Sequence, residues 1–325
     1  MTGDTAGRSC PVSYGYSPDV FMRPPELLAS TLYVIGGLYG NPFALDAVDT
    51  LASHEADAPQ LVFNGDFHWF DLAPDVFADI HRRVMQHAVV RGNVETEIAT
   101  DDDGAGYGCG CGYPDDISDE EVARSNQIIT MLRETATSAL GSERATMAAL
   151  PMHLLAQVGP ARIGIVHGDA NSLAGWDFSR HLLDDPSRRG LNEQFFRKSD
   201  VNIFASSHTC APLLRRFAFD GRAFGIINNG AAGMPNFSTT RFGLVSRIAL
   251  TPAPATLEVV HQRVFRIDDV DIYVAAVALN YDHAAWHARF IADWPAGSSA
   301  NISYLQRIEQ GPAWSLVQAY QSGFK

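Results

Sequence analysis

Four side chains in this 325-residue sequence have the types and the setting for metal chemistry: Asp66, Asn93, His167 and His208, each closing a short apolar run. A carboxylate, an amide and two imidazoles suit a borderline divalent ion, because imidazole favours transition metals and carboxylate tolerates them all. Mn, Fe or Zn is the expected cofactor. The plainer reading makes the same residues polar strand-end groups that cap helices and satisfy main-chain amides. Further candidates stand close by. His68, in the segment GDFHWFD, reads as a ligand or as a histidine packed among aromatics. Cys210 reads as a thiolate ligand or as a small buried residue, and thiolate would shift preference toward Zn or Fe. Cys109 and Cys111 read as loop thiols, with metal or redox chemistry as the sharper alternative.

The surrounding elements explain how these groups meet. Thr31 to Ile35 is a β-branched and aromatic run that stops at Gly36-Gly37, and Asn41-Pro42 then reads as an N-cap with a first-turn proline. Leu45, Val48, Leu51 and Ala52 mark one face of the helix that follows. The pattern repeats: Leu61 to Phe63 leads into Asp66, then comes a helix with Val76, Phe77, Ile80 and Val84 on its inner face, then Ala88 to Val90 leads into Asn93. Strand, helix, strand, helix, strand predicts a parallel sheet with right-handed crossovers. Its strand ends share one edge, which brings Tyr39, Asp66 and Asn93 side by side.

From Thr96 to Pro114 the glycine-rich segment reads as a loop, with Asp101 to Asp103 as a solvated acidic run. Ser118 and Glu121 match a capping box for a helix to about residue 139. Strands at Arg162 to Val166 and Val201 to Ala205 end at His167 and near His208. Leu213 to Phe219, Ala223 to Ile227, Phe242 to Leu250 and Leu257 to Phe265 read as antiparallel strands. From Asp268 onward Tyr273, Trp286, Phe290 and Trp294 are spaced for helices, so a C-terminal helical extension is expected.

Composition narrows the function classes. A net charge of -13 opposes attraction to a polyanion, so nucleic acid is an unlikely partner. No stretch reaches the ~18 apolar residues of a membrane span, and the first residues lack the pattern of a signal peptide, so a cytoplasmic location is expected. Four cysteines are too few for a disulfide scaffold in a chain this long, and a Cys109–Cys111 bridge would be geometrically poor.

Across roughly residues 31 to 250 the order of these blocks resembles the calcineurin-like metallophosphoesterase family. That family's blocks read DxHGN, GDxx, GNH(D/E), a lone His in an HG pair, and GHxH. Here they stand as Gly37-Leu38-Tyr39-Gly40-Asn41, Gly65-Asp66, Gly92-Asn93-Val94-Glu95, His167-Gly168 and Ser207-His208-Thr209-Cys210. The closing segments Asn228 to Gly233 and Phe242 to Val245 also look like that family's.

The resemblance implies a four-layer αββα sandwich of two mixed sheets over residues 31–267, with an N-terminal extension before it and the helical extension after it. It also implies that Asp66, Asn93, His167 and His208 hold one metal. The second metal's further ligands would fall on Gly37, Tyr39 and Cys210, so one ion is expected rather than two, unless His68 or Cys210 substitutes. The family's proton-donating histidine is Val94 here, which leaves His68 or Glu95 as recruits for catalysis. Tyr39 and Asn41 are the expected substrate contacts.

The leading expectation is a metal-dependent hydrolase of a small phosphorylated substrate. A binding or regulatory module that keeps the ion without turnover is the second reading. A thiol-dependent enzyme built on Cys109-Gly110-Cys111 is the third.

Overall fold

The computed structural model describes residues 6–101 and 107–321. Asp102 and Asp103 of the acidic run lie outside the described residues. Among the described residues the strands are β1 (Leu27–Ala29), β2 (Thr31–Ile35), β3 (Gln60–Asn64), β4 (Ala88–Val90), β5 (His153–Val158), β6 (Ala161–Val166), β7 (Ile203–Ser206), β8 (Leu213–Phe219), β9 (Arg222–Asn228), β10 (Gly243–Ala249), β11 (Val259–Ile267) and β12 (Val270–Leu279). One sheet runs β11-β12-β10-β2-β3-β4, the other β1-β5-β6-β7-β9-β8, and both are mixed.

Alternation along the strands builds the layers. Leu32, Val34, Val62 and Val90 of the first sheet meet Ile163, Ile165, Ile203 and Ile227 of the second in one apolar cluster between the sheets. Their neighbours Tyr33, Ile35, Leu61 and Phe63 point outward, to Leu45 and Val48 of α1 (Pro42–Ala52) and to Ile80 and Val84 of α2 (Pro74–Val84). After α3 (Asn93–Ile98), α4 (Asp119–Leu140) and α5 (Arg180–Asp184), the opposite outer layer is completed by Phe195 and Phe196 of α6 (Arg189–Ser199), which pack on Leu155, Phe204 and Ile226. Helices cover both sheets, which gives the αββα sandwich.

Local chemistry sets the helix starts. Asn41 Oδ1 accepts from Ala44 N at 3.0 Å and Pro42 opens α1, while Ser118 Oγ accepts from Glu121 N at 3.3 Å at the start of α4.

Two sequence expectations are corrected, and one strand is added. Residues from Asp268 were read as helical, yet β12 occupies 270–279 and lies between β10 and β11. The run DIYVAAVAL is apolar on both faces because both are covered, so it carries no period-two signal. The helical extension starts only at α7 (His283–Asp293), followed by α8 (Ser299–Gln310) and α9 (Leu316–Ala319). Strand β5 also escaped sequence reading; it forms an antiparallel hairpin with β6 through Gly159-Pro160. The segment read as a loop from Thr96 begins inside α3.

A buried ion pair ties the first sheet together. Arg247 on β10 donates to Glu55 at 2.7 and 3.0 Å, and Tyr33 OH adds a bond to Glu55 at 2.5 Å. Burial pushes the Glu55 carboxyl up, but the bonds from Arg247 and Tyr33 outweigh it and hold the group below its ordinary range. A depressed carboxylate contributes stability above its unfolded pKa of about 4.3 and loses it as pH falls through the folded value. Arg247→Met should therefore cost about 2–4 kcal/mol near neutrality. Denaturant unfolding should show the gap to wild type shrinking below about pH 4. A gap that stays constant with pH would refute this account of the pair.

Candidate metal centre

The centre forms where β3, β4, β6 and β7 end. Asp66 follows β3 with φ +53°, after Gly65 at +75°. A side chain at Gly65 would start 2.4 Å from His167 Nδ1, and one at Gly92 would start 2.3 Å from Asp66 Oδ1. Both glycines permit this close approach of turns.

Four acceptor atoms converge. His167 Nε2 lies 3.4 Å from Asp66 Oδ2, 3.1 Å from Asn93 Oδ1 and 3.2 Å from His208 Nδ1. Around one ion with bonds of about 2.1 Å, neighbouring ligands stand roughly 3–3.5 Å apart. The candidate ligand atoms of Asp66, His167 and His208 all fall within 4.8 Å of one another.

The other ring nitrogens are committed elsewhere. His167 Nδ1 lies 3.0 Å from the Asn64 carbonyl, and His208 Nε2 lies 3.0 Å from the Cys111 carbonyl. If each donates its N–H there, as the bonding network assigns, the Nε2 lone pair of His167 and the Nδ1 lone pair of His208 face the same point. Asn93 is turned the same way, because its Nδ2 donates to Cys109 O at 3.0 Å and Cys111 Sγ at 3.4 Å. Crowded acceptors of this kind need a proton on His167 Nε2 or a metal cation among them, and the donor set fits a borderline divalent ion.

The charges agree. Burial alone would raise the Asp66 carboxyl, but His167 and His208 offset this and bring it below its ordinary value. Burial opposes charge on His167, yet Asp66 beside it raises that ring. Burial and repulsion from His167 push His208 down to about 4, so it is a neutral ligand.

The positions where the resemblance would put further ligands are filled by a different pair. Tyr39 OH is hydrogen-bonded to Cys210 Sγ, and the Tyr39 ring lies against Gly37. Burial raises both the phenol and the thiol, which keeps them protonated at neutrality.

The remaining sequence candidates lie elsewhere. Glu95 Oε2 accepts from the amides of Asp66 and Gly92, both at 2.8 Å, and Oε1 from those of Phe67 and His68 at 3.0 and 3.4 Å. Its lone pairs hold the turns beneath the centre, which removes it as a free acid for catalysis. His68 stacks on Phe77 at 3.6 Å and pairs with Asp71 at 2.6 Å, fully buried and turned from the crevice. Asn41 spends its amide on the cap of α1 and on Gly233 O, so it does not reach a substrate. All four cysteines are free, and the Cys109/Cys111 loop lies over the centre through the Asn93 and His208 contacts.

A cavity of about 170 Å³ opens above Asp66, Asn93 and His208. Tyr39 and Cys210 line it, together with Trp69, Tyr113, Trp176, Tyr304 and Arg307, which sequence reading missed. Tyr304 and Arg307 come from α8, so the helical extension completes the site. Nothing in the sequence linked α8 to ligands so far back along the chain.

The two mixed sheets with helices on both sides match the fold of solved calcineurin-like metallophosphoesterases. Similar solved structures include a metallophosphoesterase from Sphaerobacter thermophilus, with 18% identity, a TM-score of 0.53, and coverage of 87% of this chain and 100% of that one. A hypothetical protein from Pyrococcus horikoshii OT3 is similar at 16% identity and a TM-score of 0.57, covering 89% of this chain and 100% of that one. No protein-family model matches the chain, and no curated protein matches it.

Proposed function

We propose that the protein is a phosphoester hydrolase that works with one divalent ion held by Asp66, Asn93, His167 and His208. The observation that carries this reading is the convergence of four acceptor atoms, with His167, His208 and Asn93 each held from behind by a main-chain carbonyl and Asp66 by the Val94 amide. The metallophosphoesterase neighbour from Sphaerobacter thermophilus supports the bond type. When bound, Mn, Fe or Zn would polarise a phosphoryl oxygen and lower the pKa of a water molecule.

The chain supplies the rest. Carbonyls of Asn64 and Cys111 fix both imidazole tautomers. Arg307 bonds Pro235 O through Nε and Cys210 O through Nη2, and Nη1 takes part in neither bond. Arg307 lines the cavity and supplies it with a guanidinium for a phosphoryl oxygen. The Tyr39–Cys210 pair in place of two ligands favours one ion over two. The expected substrate is a small phosphorylated molecule met in the cytoplasm. Among the described residues no helix is long and apolar enough to cross a membrane.

Arg307→Met should raise KM about 10–100-fold while leaving bound metal unchanged, as loss of one charged hydrogen bond implies. An unchanged KM in steady-state assays would remove Arg307 from substrate binding. The reading as a whole is tested by stripping the protein with chelator and assaying phosphomonoesters and phosphodiesters with Mn, Fe(II) or Zn restored. Ion-dependent phosphate or alcohol release supports it. Val94 in place of an acid favours the second reading, a binding module without turnover, and ion binding with no hydrolysis across both panels would select that one.

A further inference from the structure

The cavity walls say more about the organic part of the substrate. Five of the lining residues are aromatic: Tyr39, Trp69, Tyr113, Trp176 and Tyr304. Trp69 meets Tyr304 edge-on at 6.3 Å, and Tyr113 lies 6.2 Å from Trp176. Most of their polar atoms are already engaged. Trp176 Nε1 donates to Cys111 O at 3.0 Å, Tyr113 OH bonds Ser125 Oγ at 3.1 Å, and Tyr39 OH is taken by Cys210. The lining Thr209 hydroxyl accepts from Asn228 at 3.2 Å. These walls offer ring faces and edges, and a polyhydroxylated group would leave its hydroxyls unpaired against them.

Size and charge narrow the choice. A volume of about 170 Å³ compares with the ~150 Å³ that accommodates benzene in an engineered core, so one ring is the scale of what fits. Among the described residues of the lining, Arg307 is the only guanidinium or ammonium group and Asp66 the only carboxylate.

The departing group points the same way. Apart from the ligands Asp66 and His208, the lining contains no carboxylic acid and no imidazole among the described residues, and Val94 stands beside the centre. In the hydrolysis, the oxygen of water forms a bond to phosphorus and the bond from phosphorus to the ester oxygen breaks. The organic group leaves with the electron pair and takes its proton from solvent. Phenols ionise near ~10, whereas alkyl alcohols resemble water at ~15.7, so an aryl oxygen departs with far less help.

Resting on the hydrolase reading above, we propose that the substrate is a small aryl phosphoester, its planar ring held against the Trp69–Tyr304 and Tyr113–Trp176 pairs and its phosphoryl group at the metal and Arg307. The test is calorimetric binding of non-hydrolysable phosphonates to the full chain loaded with Zn or Mn. Phenylphosphonate should bind about 10-fold or more tighter than methylphosphonate, the effect of burying one ring. Cyclohexylphosphonate, equal in size but not planar, should fall several-fold behind phenylphosphonate, and Tyr304→Leu should narrow the phenyl advantage at unchanged metal content. Equal binding of the phenyl and methyl compounds, a cyclohexyl compound that matches phenyl, or no phosphonate binding would overturn the proposal. A phenyl preference in a protein that hydrolyses no ester would uphold the aryl-binding subsite, make the aryl phosphoester a ligand, and overturn the hydrolase reading. Turnover with equal phosphonate binding would do the reverse.

Discussion

His208→Ala is expected to strip the ion from the protein and to lower hydrolysis about 10³-fold or more, because it removes one of four ligands and opens the shell to solvent. The fold should survive. Apart from its place in the shell, the His208 ring makes one hydrogen bond, from Nε2 to Cys111 O, and the loss of one neutral bond costs about 1 kcal/mol. Metal analysis by mass spectrometry, steady-state rates and a denaturant curve on one preparation separate these effects. A variant that keeps both its ion and its rate would remove His208 from the centre.

Glu95→Gln carries the second large effect, and it falls on folding before chemistry. The carboxylate accepts from four buried amides, those of Asp66, Phe67, His68 and Gly92. Glutamine keeps one acceptor oxygen and turns an NH2 group toward two of these donors. Stranding them should cost about 2–5 kcal/mol. Because the same carboxylate fixes the turns that bear Asp66 and Asn93, metal affinity should also drop about 10–100-fold. A catalytic acid at this position would give the opposite pattern, with normal stability and normal metal content but a lost kcat. That outcome would restore Glu95 to the reaction and discard its role as a scaffold.

The first half of the fold was readable because its signals are local. Asn41-Pro42 caps α1, Ser118 with Glu121 caps α4, and the parallel strands β2, β3 and β4 each end at a glycine-containing turn. The four converging groups were readable for the same reason, since each sits just beyond an apolar run. What escaped was set by tertiary burial. Strand β12 is apolar on both faces and so resembles a buried helix in sequence. Glu95 and His68 belong to the right turns, but backbone φ at Gly65 and Asp66 aims Glu95 at amides, and stacking on Phe77 turns His68 inward. Arg307 and Tyr304 reach the cavity only through the packing of α8, whose neighbour α7 bears the tail that places Trp294 Nε1 on Phe70 O at 2.9 Å. No spacing rule records a contact of that kind.

The central claim is one cation inside a nitrogen and oxygen shell. Elemental analysis of protein prepared without chelators, joined with X-ray absorption at the edge of the metal found, measures it directly. The predicted result is one ion per chain with two imidazoles among its donors and no sulfur, unchanged in Cys210→Ala. An absence of metal, two ions per chain, or a sulfur ligand that disappears in Cys210→Ala would contradict it.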